Sequence, residues 1–249
     1  MGLEQKIDTA IGASALDWWR EAGVDALIDE VPRNWLATEP APVPLRHAPA
    51  ARHAARPAAP VAPALSFPDT LAAFETWRLS DATPEAAWPG ARIGAQGSAA
   101  SGLMILLEMP EREDVPDKLL SGTPGALFDR MLAAIGRDRA SIYLAPMAVV
   151  RPISGRIPAE AEASLATLIR AHIRLAAPKA LLIIGNAASR ALIGTDVARA
   201  RGHLHVINHE GGEGSATAVA SFHPRFLLER PAAKAEAWKD LQLLIRGLS

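Results

Sequence analysis

Two residues with titratable side chains directly follow apolar segments. Glu108 follows GLMILL, residues 102–107, and His223 follows ATAVASF, residues 216–222. Imidazole titrates near neutral pH, and an imidazole or a carboxylate at a strand end can take part in acid–base chemistry. The residue types and positions make both side chains candidates for a functional site. From position alone, a histidine that merely caps a turn is an equally good interpretation of His223.

Other polar clusters have simpler interpretations. His203 and His205 would share one face of a strand, as two metal ligands can, but an exposed strand and loop explain them better, so we predict no metal site. The acidic run EMPERED, residues 108–114, is typical of a solvated loop, in which Glu108 is the one functional candidate because it lies nearest the strand. An acidic loop facing DNA is unfavourable unless it points away.

The elements that must position these residues alternate between short apolar strands and helices. Strands are predicted at 102–110, 140–150, 179–185 and 216–222, and helices at 69–78, 123–136, 158–178, 186–194 and 231–247. Continuously apolar strands alternating with helices indicate an α/β fold: a three-layer α/β/α sandwich with a mostly parallel central sheet of about four strands. Ligands of such sheets bind beyond the carboxyl ends of the strands, which is where Glu108 and His223 fall.

Composition excludes several classes of protein. The 249 residues are 49% hydrophobic and 21% charged with a net charge of −1, so any DNA contact must come from a local basic patch. The absence of cysteine excludes disulfides, thiolate zinc sites and cysteine-ligated iron–sulfur clusters. No run reaches the roughly 18 apolar residues that a membrane span needs. We expect a cytoplasmic monomer without a cofactor.

Three regions are predicted along the chain. Residues 1–37 form a helical extension, residues 38–66 an Ala/Pro-rich linker, and residues 67–249 the main domain. So many prolines in the linker prevent both helix and sheet. A plain tether is the simpler interpretation of this mildly basic linker, and an arm that touches phosphates is the alternative.

Five segments of the chain, in this order, carry a family resemblance. They are LDWWREAGVDALIDEVP, LEMPERED with LLSGTPGALFDRMLAAIG, IYLAPMAVVRPISGRIP, APKALLIIGNAASRALIG and SFHPRFLLERPAAKAEAWKDLQLL. Together they resemble the bacterial uracil-DNA glycosylases of the iron–sulfur type, within the uracil-DNA glycosylase superfamily. The resemblance covers most of the chain and implies the α/β/α fold.

The resemblance also implies a chemistry and a set of residues. Enzymes of this family rotate a base out of the duplex into a pocket and break its glycosidic bond. His223 matches the catalytic histidine, which stabilises the departing base, and Glu108 matches a first-motif residue that helps to place the water and the cationic sugar. The positions expected to meet DNA are Gly122, Gly125, Arg151, Arg156, Gly185, Asn186 and Arg225.

The base pocket departs from the family pattern. The asparagine that reads the base falls at Pro146, the stacking phenylalanine at Leu120, and the glycine before the glutamate at Leu107, whereas Pro110 retains the proline of the first motif. A site without its buried polar partner loses discrimination that can reach ~10⁴-fold. Loss of the stacking ring removes roughly 1–3 kcal/mol per base.

The four cysteines of the cluster also have no counterpart. Their positions fall near Trp77, Ser80, Val150 and Ser164, which implies a cluster-free core repacked around the gap.

The resemblance therefore implies a divergent DNA glycosylase that acts on uracil or another deaminated base, with weak or altered activity. Its expected partner is single- or double-stranded DNA, bound weakly. Two alternatives stay open: a non-catalytic nucleic-acid-binding descendant of the fold, and a partner-binding protein with no role on DNA.

Overall fold

The computed structural model describes residues 66–209 and 214–248. The predictions for residues 1–65, an N-terminal helix and a linker, lie outside the described residues. The helices are α1 (Leu71–Arg78), α2 (Gly122–Ala134), α3 (Ala159–Ala176), α4 (Asn186–Ile193), α5 (Val197–Ala200), α6 (Pro224–Glu229) and α7 (Lys234–Leu248). The strands are β1 (Gln96–Gly97), β2 (Leu103–Leu107), β3 (Tyr143–Pro146), β4 (Ala180–Ile184), β5 (His205–Asn208) and β6 (Ser215–Ser221).

One sheet holds the six strands in the order β1-β3-β2-β4-β6-β5. The four central strands are parallel to one another, and β1 and β5 pair antiparallel to them at the two edges. The predicted α/β fold with a mostly parallel sheet is confirmed. The strand count of about four describes the parallel centre, to which the structure adds the two short edge strands.

Helices cover both faces of the sheet. Successive side chains of a strand point to opposite sides, so the continuously apolar central strands present apolar side chains to both faces. Met104 and Leu106 of β2 pack in a cluster with Phe74 of α1 and with the apolar face of α3. Leu103, Ile105 and Leu107 pack in a second cluster that includes residues of α2 and α7. Every residue of β2, β3 and β4 is buried, as expected for strands that are covered on both faces.

A buried ion pair stands near the positions that the family resemblance assigned to an iron–sulfur cluster. Arg78 Nη1 lies 2.8 Å from Glu85 Oε1, and the two side chains are 4% and 0% exposed. Arg78 Nη2 also donates to the carbonyl oxygen of Met147 at 2.6 Å, and the Glu85 carboxylate accepts the amide hydrogen of Val149 at 3.2 Å. With no cysteine in the chain, these residues do not fit a cysteine-ligated cluster.

This network joins the end of α1 to the segment that follows β3. Trp77 packs against Phe67 and Phe74, with ring centroids 6.2 and 5.9 Å away. Val150 is fully buried. Apolar bulk and one ion pair therefore fix the segment that leads into Arg151. No helix among the described residues is long and apolar enough to cross a membrane.

Candidate active site

The parallel register brings the two candidate residues to the same edge of the sheet. Leu107 at the end of β2 pairs with Ile184 at the end of β4, and Ile184 pairs with Ser221 at the end of β6. Glu108 is the residue after β2, and His223 follows β6 by two residues. Both line one open hollow of about 460 Å³. The other residues on its wall are Met109, Glu111, Arg151, Gly155, Arg156, Asn186, Arg225, Phe226 and Glu229.

Glu108 lies at the N-terminus of α4, because the turn between β4 and α4 passes directly beside it. Its Oε1 accepts the amide hydrogen of Ala187 in the first turn of the helix. Gly185, the N-cap residue, has a φ of +113°. A Cβ atom at Gly185 would collide with Cγ and Cδ of Glu108. Glycine therefore serves here to let the Glu108 side chain approach.

Glu108 combines burial with favourable contacts. Burial raises the pKa of its carboxyl above the ordinary 4.5, and the Ala187 amide and the charge of Arg190 oppose that rise. The same carboxylate borders a second hollow of about 430 Å³, which Arg156, Glu162 and Arg190 also line. Glu108 can therefore carry or orient a proton, although helix α4 already engages one of its oxygens.

His223 is the N-cap of α6, and its two ring nitrogens have different roles. Nδ1 accepts the amide hydrogen of Arg225 at 3.2 Å. A neutral imidazole that accepts at Nδ1 carries its hydrogen on Nε2. That nitrogen lies 3.3 Å from Oε1 of Glu111. The side chain is 19% exposed, so the imidazole reaches the hollow from a largely buried position.

The imidazole is neutral at physiological pH. Burial and the nearby charge of Arg151 lower the pKa of His223 to about 4. A carboxylate close to a ring nitrogen ordinarily favours the imidazolium form. Here the carboxylate of Glu111 also forms an ion pair with Arg225, and that cation compensates its charge. We therefore assign the neutral form, as a hydrogen-bond donor through Nε2.

The acidic loop after β2 is only partly the solvated loop that its composition indicates, because Arg112 and Glu113 are exposed but Glu111 and Asp114 are not. The Glu111 side chain is only 10% exposed and lies between His223 and Arg225. Asp114 organises the loop: Oδ2 accepts the amide hydrogens of Glu111 at 2.7 Å and Leu120 at 3.0 Å, and Oδ1 accepts that of Ser121 at 2.6 Å. Glu111 is thus a site residue that sequence reasoning missed.

Arginines supply the positive charge of the hollow. Arg151 Nη1 donates to the carbonyl oxygen of Pro110 at 2.9 Å, which ties the β3–α3 loop to the acidic loop. Arg156 is exposed on the wall. Arg225 is 42% exposed beside Glu111. Together they place three guanidinium groups around a site that also holds the carboxylates of Glu108 and Glu111.

The residues expected to form a base pocket lie elsewhere. Leu107 and Leu120 are fully buried, and both belong to the hydrophobic cluster under α2 and α7. Pro146 is buried beside Leu107 in the sheet. None of the three lines the hollow beside His223. Pro110 is buried and contributes its carbonyl oxygen to Arg151.

The two glycines of the α2 turn approach the chain itself. Gly122 has a φ of +65°, and a Cβ atom there would collide with the Glu113 carboxylate. A Cβ atom at Gly125 would collide with the carbonyl oxygen of Leu120. The need for glycine at both positions thus follows from internal packing, whereas the sequence interpretation assigned it to close approach of DNA.

Asn186 has a structural bond in addition to its place on the hollow. Its Oδ1 accepts the amide hydrogen of Val197 at 3.1 Å and so joins α4 to α5. The N-cap of α4 is Gly185, and Asn186 is the first residue of the helix. No group of three or more metal-ligating side chains is present within residues 66–209 and 214–248.

Comparison with known proteins places this geometry in context. The family model described as "Uracil DNA glycosylase superfamily" matches residues 95–242. A type-4 uracil-DNA glycosylase of Pyrobaculum aerophilum is 27% identical over 163 residues, which span 62% of this chain and 82% of the relative. One of Archaeoglobus fulgidus is 25% identical over 155 residues, 59% of this chain and 76% of the relative. The matched region contains β1 to β6 and every residue assigned above to the hollow.

Proposed function

The chain belongs to the uracil-DNA glycosylase superfamily, and from this premise we propose that it hydrolyses the N-glycosidic bond of uracil or another deaminated base in DNA. The observation that carries the proposal is the shared hollow at the carboxyl edge of the sheet, onto which Glu108 and His223 both open. A hollow of about 460 Å³ has room for one extruded base together with water.

In the proposed reaction each side chain acts on a different fragment. As the glycosidic bond breaks, its electron pair leaves with the base and positive charge develops on the sugar. His223 donates the Nε2 hydrogen to an oxygen of the departing base, in the manner of an oxyanion-hole donor. Glu108 stabilises the cationic sugar and orients the water that adds to its C1′ carbon, with one proton of that water released to the base or to solvent.

Arginines supply the proposed contact with the DNA backbone. Arg156 and Arg225 are exposed on the wall of the hollow, and Arg151, also on the wall, donates to the carbonyl oxygen of Pro110. Guanidinium groups bind phosphate oxygens through charge-assisted hydrogen bonds. Such contacts hold the strand in register without reading its sequence.

Weak or altered activity follows from how the two candidate residues are engaged. Glu108 caps helix α4, and the Nε2 of His223 faces the carboxylate of Glu111. Pro146, at the position of the base-reading asparagine, is buried and has no polar side-chain atom. These same contacts favour a second candidate function, a non-catalytic nucleic-acid-binding protein in which Glu108 and Glu111 have structural roles.

Oligonucleotides with a single modified base separate the two functions. Purified protein is incubated with single- and double-stranded DNA carrying uracil, hypoxanthine or xanthine, and abasic sites are scored by alkaline cleavage. Formation of abasic sites that His223→Ala abolishes supports the glycosylase. His203→Ala is the matched control, because this exposed histidine does not line the hollow.

Salt-dependent binding without any abasic product would instead establish the non-catalytic function. Absence of binding at low salt would contradict both functions and leave only a partner-binding role.

A further inference from the structure

The hollow contains an adjacent donor and acceptor, His223 and Glu111, and the family resemblance assigns a role to His223 alone. His223 presents the Nε2 hydrogen, and the Glu111 carboxylate, which can only accept, lies 3.3 Å from that nitrogen. Both side chains lie on the wall of the same hollow. A base with a carbonyl group next to a ring N–H would match this pair, with its oxygen toward His223 and its N–H toward Glu111.

We propose that Glu111 and His223 together read the lactam edge of the base, in place of the asparagine whose position Pro146 occupies. This inference rests on the proposed function, since it assigns the substrate class of the same hollow. Uracil, hypoxanthine and xanthine carry this edge. Cytosine and adenine carry a ring-nitrogen lone pair at the matching position, and the carboxylate repels it.

The chemistry of deamination explains why this pair is selective. Replacing an exocyclic amino group by a carbonyl oxygen transfers a hydrogen to the neighbouring ring nitrogen. The edge changes from donor–acceptor to acceptor–donor, and only the second pattern complements His223 and Glu111. The pair therefore rejects cytosine and adenine. Thymine and guanine share the lactam edge, so discrimination against those two bases must come from the walls of the hollow.

Three contacts hold Glu111 in this place. Arg225 forms an ion pair with its carboxylate. Asp114 accepts its backbone amide hydrogen at 2.7 Å. Arg151 binds the carbonyl oxygen of the preceding Pro110 at 2.9 Å. A reading group must be fixed before the base arrives, and an acceptor held from both its backbone and its side chain meets that requirement.

The charge of Arg225 has a second consequence. An isolated carboxylate beside a departing base would repel the negative charge that develops on it. The ion pair with Arg225 neutralises Glu111, and Arg151 adds a further positive charge close to His223. Glu111 can therefore accept a hydrogen bond from the base without opposing its departure.

Binding of methylated free bases tests the proposal without requiring catalysis. Dissociation constants for 1-methyluracil, 1-methylcytosine and 1,3-dimethyluracil are measured by NMR titration of the wild-type protein and its variants. The wild type should prefer 1-methyluracil over the other two by about 10- to 100-fold, as expected for one hydrogen bond to a charged group. Glu111→Leu should abolish this preference.

Glu113→Leu is the matched control, since Glu113 lies in the same loop but is exposed and does not line the hollow. Glu111→Gln provides a second variant if Glu111→Leu fails to fold. The glutamine amide can present either its carbonyl oxygen or its NH₂ group to the base, so 1-methylcytosine should bind about as well as 1-methyluracil.

The two proposals fail in different ways. A preference for 1-methyluracil that survives in Glu111→Leu, or a wild type that binds none of the three bases or does not distinguish them, overturns the reading pair. If the preference depends on Glu111 but no oligonucleotide is cleaved, the reading pair stands and the glycosylase proposal fails. If cleavage depends on His223 while Glu111→Leu keeps the preference, the glycosylase proposal stands and the reading pair fails.

Discussion

The buried pair of Arg78 and Glu85 gives a prediction with a magnitude. Changing Glu85 to glutamine keeps the shape of the side chain but leaves the buried guanidinium without a counter-charge. The pair is 2.8 Å apart, and its side chains are 4% and 0% exposed. Breaking a buried pair by removing one partner costs about 3–5 kcal/mol of unfolding free energy. We expect about 3 kcal/mol, because the amide oxygen of glutamine can still accept hydrogen bonds.

A matched exposed pair supplies the control. Arg92 Nη2 lies 2.6 Å from Oδ1 of Asp81, and the Asp81 side chain is 91% exposed. Asp81→Asn makes the same chemical change as Glu85→Gln, but solvent screens the lost charge. An exposed ion pair contributes about 0.2–1 kcal/mol. The two variants should therefore differ by at least about 2 kcal/mol.

Equilibrium unfolding in urea at pH 7, followed by far-ultraviolet circular dichroism, measures both variants. The double variant Arg78→Met with Glu85→Leu completes the test, because replacing a buried pair by apolar side chains is neutral or stabilising. Its unfolding free energy should return close to that of the wild type. If Glu85→Gln and Asp81→Asn lie within about 1 kcal/mol of each other, the reasoning from burial is wrong.

Three further predictions concern the hollow. The pKa of His223 is lowered from 6.5 to about 4, so the native state prefers the neutral imidazole and the free energy of unfolding falls as the pH drops through that window. His223→Gln should remove roughly 3 kcal/mol of this loss, as measured from urea unfolding curves between pH 7 and pH 4. The raised pKa of Glu108 gives the opposite pH dependence, because the free energy of unfolding falls as the pH rises from 4.5 to the higher native pKa. Unfolding curves of Glu108→Gln should lack that fall, and a pH profile unchanged from the wild type would show that the Glu108 carboxyl titrates normally. Arg156→Gln should weaken binding of a fluorescent oligonucleotide and reduce the salt slope by about 1, whereas Lys179→Gln, at the amino end of β4, should leave both unchanged; equal effects of the two variants would place the DNA elsewhere.

Much of the fold was predictable because its central strands are buried on both faces. Segments such as LMILL and ALLII are continuously apolar, and only a covered parallel strand or a buried helix has that pattern. The edge strands left a weaker signal. Gln96–Gly97 has two residues, and in His205–Asn208 one residue of four is buried. The six-residue helix Pro224–Glu229 is too short to show a helical period.

The site was predictable only where sheet geometry determines it. Glu108 comes directly after β2 and His223 two residues after β6, and the parallel register brings those ends together. The contact between Glu111 and Arg225 joins residues 114 positions apart, and the sequence contains no periodic signal for it. A buried acceptor in an acidic loop has the same composition as a solvated one, and its position opposite an arginine became visible only in three dimensions.

The backbone of Leu120 ties the shape of the acidic loop to the hydrophobic core. Its φ is +51°, a left-handed conformation that costs a residue with a side chain about 1–3 kcal/mol, while its side chain is fully buried. Burial of a leucine side chain returns about 1.5–3 kcal/mol. These opposing contributions are similar in size, so burial of the Leu120 side chain offsets the backbone strain in the loop. Shortening the Leu120 side chain would therefore loosen the loop that holds Glu111, without changing any polar atom of the hollow.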